Sequence, residues 1–112
     1  MLIYKIVDRA AWQAAMAEGV FHGSADDVRD GFIHFSTGVQ APTTARKHFR
    51  GRDDLVLVAF DAQSFGPDLR WEVSRGGDRF PHLYAPLKTA LAIWVKDLPV
   101  GADGVHVFPQ EN

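Results

Sequence analysis

Segments in which apolar residues alternate with polar ones, or follow one another directly, make up most of the chain and predict β-strands. The predicted strands are Ile3–Val7, Gly31–Ser36, Leu55–Phe60, Leu69–Ser74, Phe80–Tyr84, Leu91–Val95 and Val105–Phe108. Because Leu55–Phe60 is apolar almost throughout, we expect it to be a central strand covered on both faces. Pro81 has no backbone N–H to donate, so we expect it at a sheet edge or at the start of its strand. Leu91–Val95 also suits a helix, but its isoleucine, tryptophan and valine favour a strand.

Two other segments have the residue spacing of a helix. The first is Ala10–Glu18, which Asp8 is placed to cap and Gly19 to end. Its buried stripe is expected to consist of Ala11, Trp12, Ala15 and Met16. The second helix is expected within Val39–Arg50. We predict a loop over Val20–Asp30, with at most one helical turn that starts at its serine.

The order of these elements is not a regular alternation of strand and helix. Strands dominate and two or three helices interrupt them, so the predicted fold class is α+β, with a mixed, mostly antiparallel, curved sheet. A chain of 112 residues fits one domain over residues 1–112. That length is enough to bury a core without help from a metal or a disulfide.

Charge and composition narrow the classes of function. The formal net charge is −2 and the 12 basic residues are scattered, so we do not expect nucleic-acid binding. The chain has no cysteine, which excludes disulfides, thiolate catalysis and cysteine-ligated zinc. No apolar run is long enough to span a membrane, and the first residues lack the pattern of a signal peptide, so we expect a cytoplasmic protein without a membrane partner.

Alternation within three predicted strands places polar side chains together on one face of each. Gly31–Ser36 presents His34 and Ser36 in this way, and side chains two apart in a strand lie about 6.5–7 Å apart, close enough to touch one small ligand. The later strands contribute Arg70, Glu72, His82 and Tyr84. We therefore predict a cleft lined by His34, Ser36, Glu72, His82 and Tyr84.

Each of these side chains also has a structural interpretation. Ser36 is equally well placed to cap the helix that follows it. Arg70 and Glu72 are a typical surface pair whose ionic contacts contribute little to stability. Three further side chains suit purely structural positions: His34, His82 and Tyr84. Two other histidines are expected at the surface: His22 and His106.

Other common chemistries have little support in the sequence. A histidine-based metal site would require His34, His48 and His82 to converge, and their spacing is not a local metal-binding motif, so we expect no metal. There is no G-x-S-x-G motif around Ser36 and no phosphate-binding glycine loop, which argues against a serine hydrolase and a P-loop enzyme.

Several motifs together resemble one known family. The segments DGFIHFS, LVLVAFD, RWE and FPHLYAPL resemble the family of domain of unknown function 952 over nearly the whole chain. The order of IYKI, GFIHFS with a helix directly after it, and LVLVAFD is also distantly similar to the ADP-ribosyltransferase superfamily. That resemblance implies an ADP-ribosyltransferase-like fold and makes NAD the candidate cofactor. It places His34 at the tyrosine of the second motif, makes Glu72 a candidate for the glutamate, and puts Lys5 where the superfamily has histidine or arginine.

Three hypotheses about function follow. The first is a glycosyl- or ADP-ribosyl-transfer enzyme that acts on NAD or an ADP-ribose-containing substrate. In that enzyme the expected catalytic residues are Glu72, His34 and His82, and the expected ligand-binding residues are Ser36, Arg70 and Tyr84. The second is a non-catalytic module that binds a small metabolite or nucleotide. The third is a protein-interaction domain with an aromatic surface.

Overall fold

In the computed structural model, which describes residues 1–109, the strands form three sheets and every strand pair is antiparallel. The strands are β1 (Leu2–Asp8), β2 (Val20–Phe21), β3 (Ile33–His34), β4 (Ser36–Thr37), β5 (Leu55–Asp61), β6 (Leu69–Val73), β7 (Arg79–Leu83), β8 (Leu87–Lys88) and β9 (Trp94–Asp97). The α-helices are α1 (Arg9–Glu18), α2 (Ala25–Asp30) and α3 (Ala41–His48). Short 3₁₀ segments lie at Ala62–Asp68, Arg75–Gly77 and Thr89–Leu91.

The sheets have the strand orders β4-β1-β5-β9, β3-β7-β6 and β2-β8. The predicted α+β class and antiparallel pairing are therefore confirmed, whereas the single mixed sheet is wrong. None of the helices within residues 1–109 has the length and apolar character needed to cross a membrane.

Strands β1 and β5 lie side by side at the centre of the fold and bury both faces, as predicted for Leu55–Phe60. Alternation divides their side chains between two apolar clusters, with Ile3 and Val7 in one and Tyr4 and Ile6 in the other. Lys5 lies on the face between Ile3 and Val7 and is itself buried. A charged group is therefore directed towards the apolar cluster that β1 shares with the second sheet.

The predicted strand Gly31–Ser36 is wrong as one strand, because its backbone changes sheets at Phe35. β3 pairs with β7, whereas β4 pairs with β1. The Phe35 ring is buried against Phe60 and Phe65, which anchors the crossing point in the core. Because β3 and β4 are separated only by Phe35, the edge of the sheet β3-β7-β6 lies next to the edge of the sheet β4-β1-β5-β9.

Pro81 lies within β7, the central strand of its sheet, so the prediction of an edge or strand-start position is wrong. In an antiparallel strand the N–H and C=O of one residue point towards the same neighbour. The Pro81 carbonyl accepts a hydrogen bond of 3.0 Å from the Phe35 N–H, on the side where β3 has already ended at His34. The missing N–H of the proline therefore costs no hydrogen bond to β6.

Helices α1 and α3 match their predicted ranges, with two corrections to the side chains of α1. Gly19 ends α1 in the left-handed conformation (φ 89°), which glycine adopts without steric cost. Asp8 makes no side-chain cap there, because its carboxylate pairs with Arg52 instead. Met16 is 54% exposed rather than part of the buried stripe, so the apolar face of α1 is narrower than its spacing suggested.

Three further segments differ from the sequence prediction. The predicted loop Val20–Asp30 contains β2, and the helical turn allowed from Ser24 is the six-residue helix α2, whose N-cap is Ser24. The strand predicted at Leu91–Val95 is displaced to β9, because Thr89–Leu91 forms a 3₁₀ turn. Val105–Phe108 is not a strand, and only one isolated bridge joins His106 to Val100.

Candidate functional site

Three predicted site residues form a row across the sheet β3-β7-β6. His82 on β7 lies opposite His34 on β3 and opposite Arg70 on β6. Glu72 and Tyr84 each follow a member of this row by two residues, so they share its face. The other face of the sheet is apolar and belongs to the core. The alternation seen in the sequence therefore does bring these side chains to one face.

The His82 imidazole is held by Glu72. His82 Nδ1 lies 2.9 Å from Glu72 Oε1, and the Tyr84 hydroxyl donates to the same oxygen at 2.6 Å. The His82 side chain is only 5% exposed, whereas that of Glu72 is 38% exposed. The partly exposed Glu72 carboxylate therefore holds the buried His82 imidazole in a fixed orientation.

The hydrogen bonds among Glu72, His82 and Tyr84 determine the tautomer of the His82 ring. Hydrogen bonds from Tyr84 and then from His82 lower the pKa of Glu72, so its carboxylate is ionised at neutral pH and only accepts hydrogen bonds. His82 Nδ1 must then be the donor, which leaves Nε2 as the nitrogen with the lone pair when the ring is neutral. Burial lowers the pKa of His82, and this effect outweighs the opposing hydrogen bond from Glu72.

Phe32 joins the two histidines into one aromatic group. Its ring stacks on His82 with centroids 4.0 Å apart and lies 4.6 Å from the ring of His34. The two imidazoles are 5.6 Å apart, edge to face. Tyr84 contacts the same phenylalanine at 5.3 Å, and the Arg70 guanidinium lies 4.7 Å from the Tyr84 ring. These contacts set the spacing between the two histidine rings.

His34 belongs to a second, more buried polar network. Its Nδ1 lies 2.7 Å from Asp27 Oδ1, and its Nε2 lies 3.0 Å from Asp30 Oδ2. The Lys5 ammonium donates to both oxygens of Asp27, at 3.1 and 2.9 Å, and to the His34 carbonyl at 2.9 Å. The Lys5 and Asp27 side chains are 6% and 1% exposed. The Nδ1 edge of the His34 ring is thus connected, through the Asp27 carboxylate, to Lys5 at the centre of β1.

The start of α2 explains the position of Asp27. Ser24 and Asp27 form a reciprocal capping box, in which the Ser24 N–H donates to the Asp27 carboxylate at 2.8 Å. Burial by itself would raise the pKa of Asp27. The His34 hydrogen bond, the Lys5 charge and the backbone N–H donors outweigh burial and hold that pKa well below its ordinary value. The carboxylate is therefore ionised at any ordinary pH.

A cleft of about 720 Å³ lies beside this network. Among the described residues, β4 pairs only with Ile3 and Tyr4, so the rest of β1 has a strand neighbour on one side alone, and the cleft occupies the open side. Its polar lining includes Lys5, Asp27, Asp30, His34, Ser36 and His82. This volume is within the range of about 300–1,000 Å³ that is typical of small-molecule sites.

The structure brings together some of the predicted cleft residues and separates others. His34, Ser36 and His82 line the cleft, whereas Glu72 and Tyr84 do not and reach it only through His82. The predicted lining is wrong for these two residues, and β7 separates Glu72 on β6 from the strand β3 that borders the cleft. The helix-capping alternative for Ser36 is also wrong, since its hydroxyl lies 3.0 Å from the Thr44 hydroxyl within α3.

Sequence reasoning missed Lys5, Asp27 and Phe32 as parts of the site. A usable signal was present for Lys5, because it shares a strand face with two apolar residues, and a buried lysine requires an anionic partner. Asp27 carried only the weaker signal of a serine three residues before it. Alternation in GFIHFS does place Phe32 on the same face as His34, but its stacking on His82 depends on a strand about 50 residues away and could not be predicted.

Of the three remaining histidines, His22 and His48 are exposed and His106 is buried. His22 is at the surface, as predicted, and pairs with Glu18 at 3.1 Å. His106 is buried rather than exposed, and its Nε2 lies 2.7 Å from the Arg52 carbonyl. Within residues 1–109, no three histidine or carboxylate side chains are grouped in a way that could hold a metal ion.

A family model described as protein of unknown function (DUF952) matches residues 6–95. The chain belongs to this family. The first resemblance inferred from the sequence is therefore confirmed, whereas the similarity to ADP-ribosyltransferases is not shown by the comparisons.

Two solved structures of protein CC0527 from Caulobacter crescentus are similar to this DUF952 domain. The crystal structure is 56% identical, with 96% of this chain and 94% of that chain covered and a TM-score of 0.92. The solution NMR structure is 58% identical, with 93% and 90% covered and a TM-score of 0.85. No curated protein matches the chain.

Proposed function

We propose that this DUF952 domain is a small-molecule enzyme in which His82, oriented by Glu72, acts as a general base on a ligand bound in the cleft. The observation that carries the proposal is the position of the His82 ring. The ring lines the cleft with its centroid 5.6 Å from that of the His34 ring, and its Nδ1 is held by the Glu72 carboxylate, which lies outside the cleft. An imidazole held in this way offers the lone pair of Nε2 to the ligand.

The lowered pKa of His82 suits the role of a base. A ring whose charged form is disfavoured by burial is neutral at physiological pH, so it can accept a proton without first losing one. Once protonated, the imidazolium is stabilised by the carboxylate of Glu72, which is ionised. Glu72 is therefore a positioning residue in this proposal, and not a group that touches the ligand.

The charges of the lining indicate which part of a ligand the cleft accepts. Its cationic side chains each contact a carboxylate: Lys5 contacts Asp27, Arg29 contacts Asp30, and Arg52 contacts Asp8. These cations are partly neutralised, so a pyrophosphate gains less from them than from an unpaired cation. We expect the hydroxyl groups of a ribose to be the better match for the histidine and serine side chains.

The reaction that fits this arrangement is cleavage of a glycosidic bond in NAD or in a related ADP-ribose-containing compound. His82 Nε2 takes a proton from a water molecule while the water oxygen bonds to C1′ of the ribose. The bond between C1′ and the nicotinamide nitrogen breaks and leaves its electron pair on that nitrogen. Nicotinamide thus departs neutral, and His82 returns the proton to solvent. An alcohol or amine in place of water turns the same step into a transfer reaction.

A non-catalytic binding module is the second candidate, and the surroundings of Asp27 favour it. Asp27 is the most buried carboxylate of the lining, and its two oxygens already accept from the Lys5 ammonium and from the Ser24 and His34 N–H groups, with His34 Nδ1 in contact as well. The cleft therefore offers no nucleophilic carboxylate at this position. A module of this kind would bind the same ligand without changing it.

NMR titration with NAD, ADP-ribose and nicotinamide riboside separates these candidates, together with chromatographic detection of released nicotinamide. The enzyme is expected to show shifts at His34, Ser36 and His82 with all three compounds, and nicotinamide release from NAD and the riboside. Shifts without release support the binding module. Unchanged spectra with every compound at millimolar concentration contradict both candidates.

A further inference from the structure

Helix α2 and its N-cap form one wall of the 720 Å³ cleft, yet little of this segment is buried. Six of the lining residues come from it: Ser24, Ala25, Asp26, Asp27, Arg29 and Asp30. The structure describes all of residues 24–30, and Asp27 is the only buried residue among them. Neither apolar cluster of the described chain includes a residue of α2, and Val28 is 70% exposed. Apolar packing therefore contributes little to holding α2 in place.

Polar contacts attach α2 to the strands beside it. The Asp27 carboxylate accepts from the Lys5 ammonium on β1 at 2.9 and 3.1 Å, and from the His34 N–H on β3 at 3.0 Å. The two ring nitrogens of His34 lie 2.7 Å from the Asp27 carboxylate and 3.0 Å from that of Asp30. Lys5 and Asp27 both regain hydration when they separate, which offsets part of the lost attraction. The attachment of α2 is therefore one that water can replace.

The surroundings of α2 leave it free to move as a unit. A glycine with positive φ stands at each end, Gly23 at 118° and Gly31 at 84°. Hinges are a few residues at the ends of an element that absorb changes in φ and ψ, and glycine does so at the lowest steric cost. A second hollow, of about 300 Å³, is lined by Val28 of α2 and by Leu83 of β7. There is thus empty space beside the helix as well as in the cleft.

We propose that residues 24–30 are a lid over the cleft, which turns about Gly23 and Gly31 and is held closed by the Asp27 carboxylate. The inference rests on the proposed function only for the identity of the ligand that the lid covers. Opening separates Asp27 from Lys5 and removes one wall of the cleft, so a ligand can enter or leave. Closure restores that wall and limits the access of water to the bound ligand.

Native-state hydrogen exchange tests the lid without any ligand. The reporters are four N–H groups whose acceptors belong to residues 24–30, on Ser24, Val28, Gly31 and His34. We expect the four to exchange through one shared opening that is more frequent than global unfolding, which is measured on the amides of β5. This opening is also expected to depend less on urea, because it exposes less surface than unfolding does.

Two results of this measurement would overturn the proposal. If the reporters have the same opening frequency and urea dependence as the amides of β5, α2 moves only when the whole domain unfolds. If the His34 N–H is as protected as β5 while the N–H groups of α2 exchange faster, the helix frays and the Asp27 carboxylate stays in place. Neither behaviour is that of a lid.

Two glycine substitutions provide a matched pair of variants. In Gly23→Ala the new Cβ would lie 2.8 Å from the Asp27 Cβ, and alanine is strained at this positive φ. Opening relieves both effects, so the four reporters should exchange about tenfold faster than in the wild type. The control Gly19→Ala also places an alanine at positive φ, but among the described residues nothing beyond its chain neighbours lies within 4 Å of the new Cβ.

The strain of Gly19→Ala persists when the lid opens and is relieved only by global unfolding. Its β5 amides should therefore exchange faster, while its reporters keep their wild-type rates. Reporters that accelerate together with β5 in Gly19→Ala, or that do not accelerate in Gly23→Ala, would contradict the lid.

Exchange in the presence of NAD separates this inference from the proposed function. NAD bound beneath the lid is expected to slow the four reporters, because it stabilises the closed form. If the reporters show the shared opening without NAD and millimolar NAD does not slow them, the proposed function is contradicted and the lid stands.

Discussion

Replacing Asp27 by alanine is expected to destabilise the domain by about 3–5 kcal/mol, the usual cost of removing one partner of a buried ion pair. The change leaves the Lys5 ammonium buried without its carboxylate, and it also removes the acceptor of the Ser24 and His34 N–H groups. The free energy of unfolding, measured in urea with the wild type beside the variant, checks this value.

Two controls show whether the loss arises from the unpaired charge. The double variant Lys5→Met/Asp27→Leu removes both charges and should recover much of the lost stability, because apolar pairs often replace buried ion pairs without cost. Asp97→Ala removes an exposed partner of Arg9 and should change little. A loss for Asp27→Ala no larger than that for Asp97→Ala would contradict the description of the buried pair.

Replacing His82 by asparagine is expected to lower the rate of nicotinamide release from NAD by about 10²–10⁴-fold, the usual contribution of a general base. The asparagine amide can still donate to Glu72 from a position close to that of the lost Nδ1. The variant therefore removes Nε2 while it keeps the hydrogen bond that connects β7 to β6. The rate is measured at saturating NAD, so that weaker binding does not enter it.

The matched control for this variant is His22→Asn. His22 is a surface histidine paired with Glu18 and does not line the 720 Å³ cleft, so its replacement should leave the rate unchanged. Glu72→Gln should lower the rate by less than His82→Asn, because the ring remains but its tautomer is no longer fixed. An unchanged rate in His82→Asn would exclude this residue as the base.

Residue alternation was sufficient to predict the row of polar groups on the sheet β3-β7-β6. Arg70 and Glu72 are two apart on β6, and Tyr84 follows His82 by two residues just beyond the end of β7, so a period of two residues places each pair on one face. The pattern did not show which of these side chains would reach the cleft. That depends on the position of β7 between its neighbours, which is set by contacts with residues far along the chain.

The buried network could not be predicted because its parts come from distant segments. Lys5 and Asp27 are 22 residues apart, and their contact requires the short helix α2 inside a segment that was predicted to be a loop with at most one helical turn. The change of sheets at Phe35 was equally hidden, because GFIHFS has a continuous strand pattern. Tertiary packing overrode the local pattern at both places.

The central claim is that His82 presents an unprotonated Nε2 to the cleft while Glu72 holds its Nδ1–H. The most direct measurement is the pair of His82 ring ¹⁵N shifts in the wild type, followed through a pH titration. We expect the proton on Nδ1 at neutral pH and a pKa below the ordinary histidine value of about 6.5, because burial disfavours the charged ring. A proton on Nε2 at neutral pH, or a pKa above the ordinary value, would contradict the account.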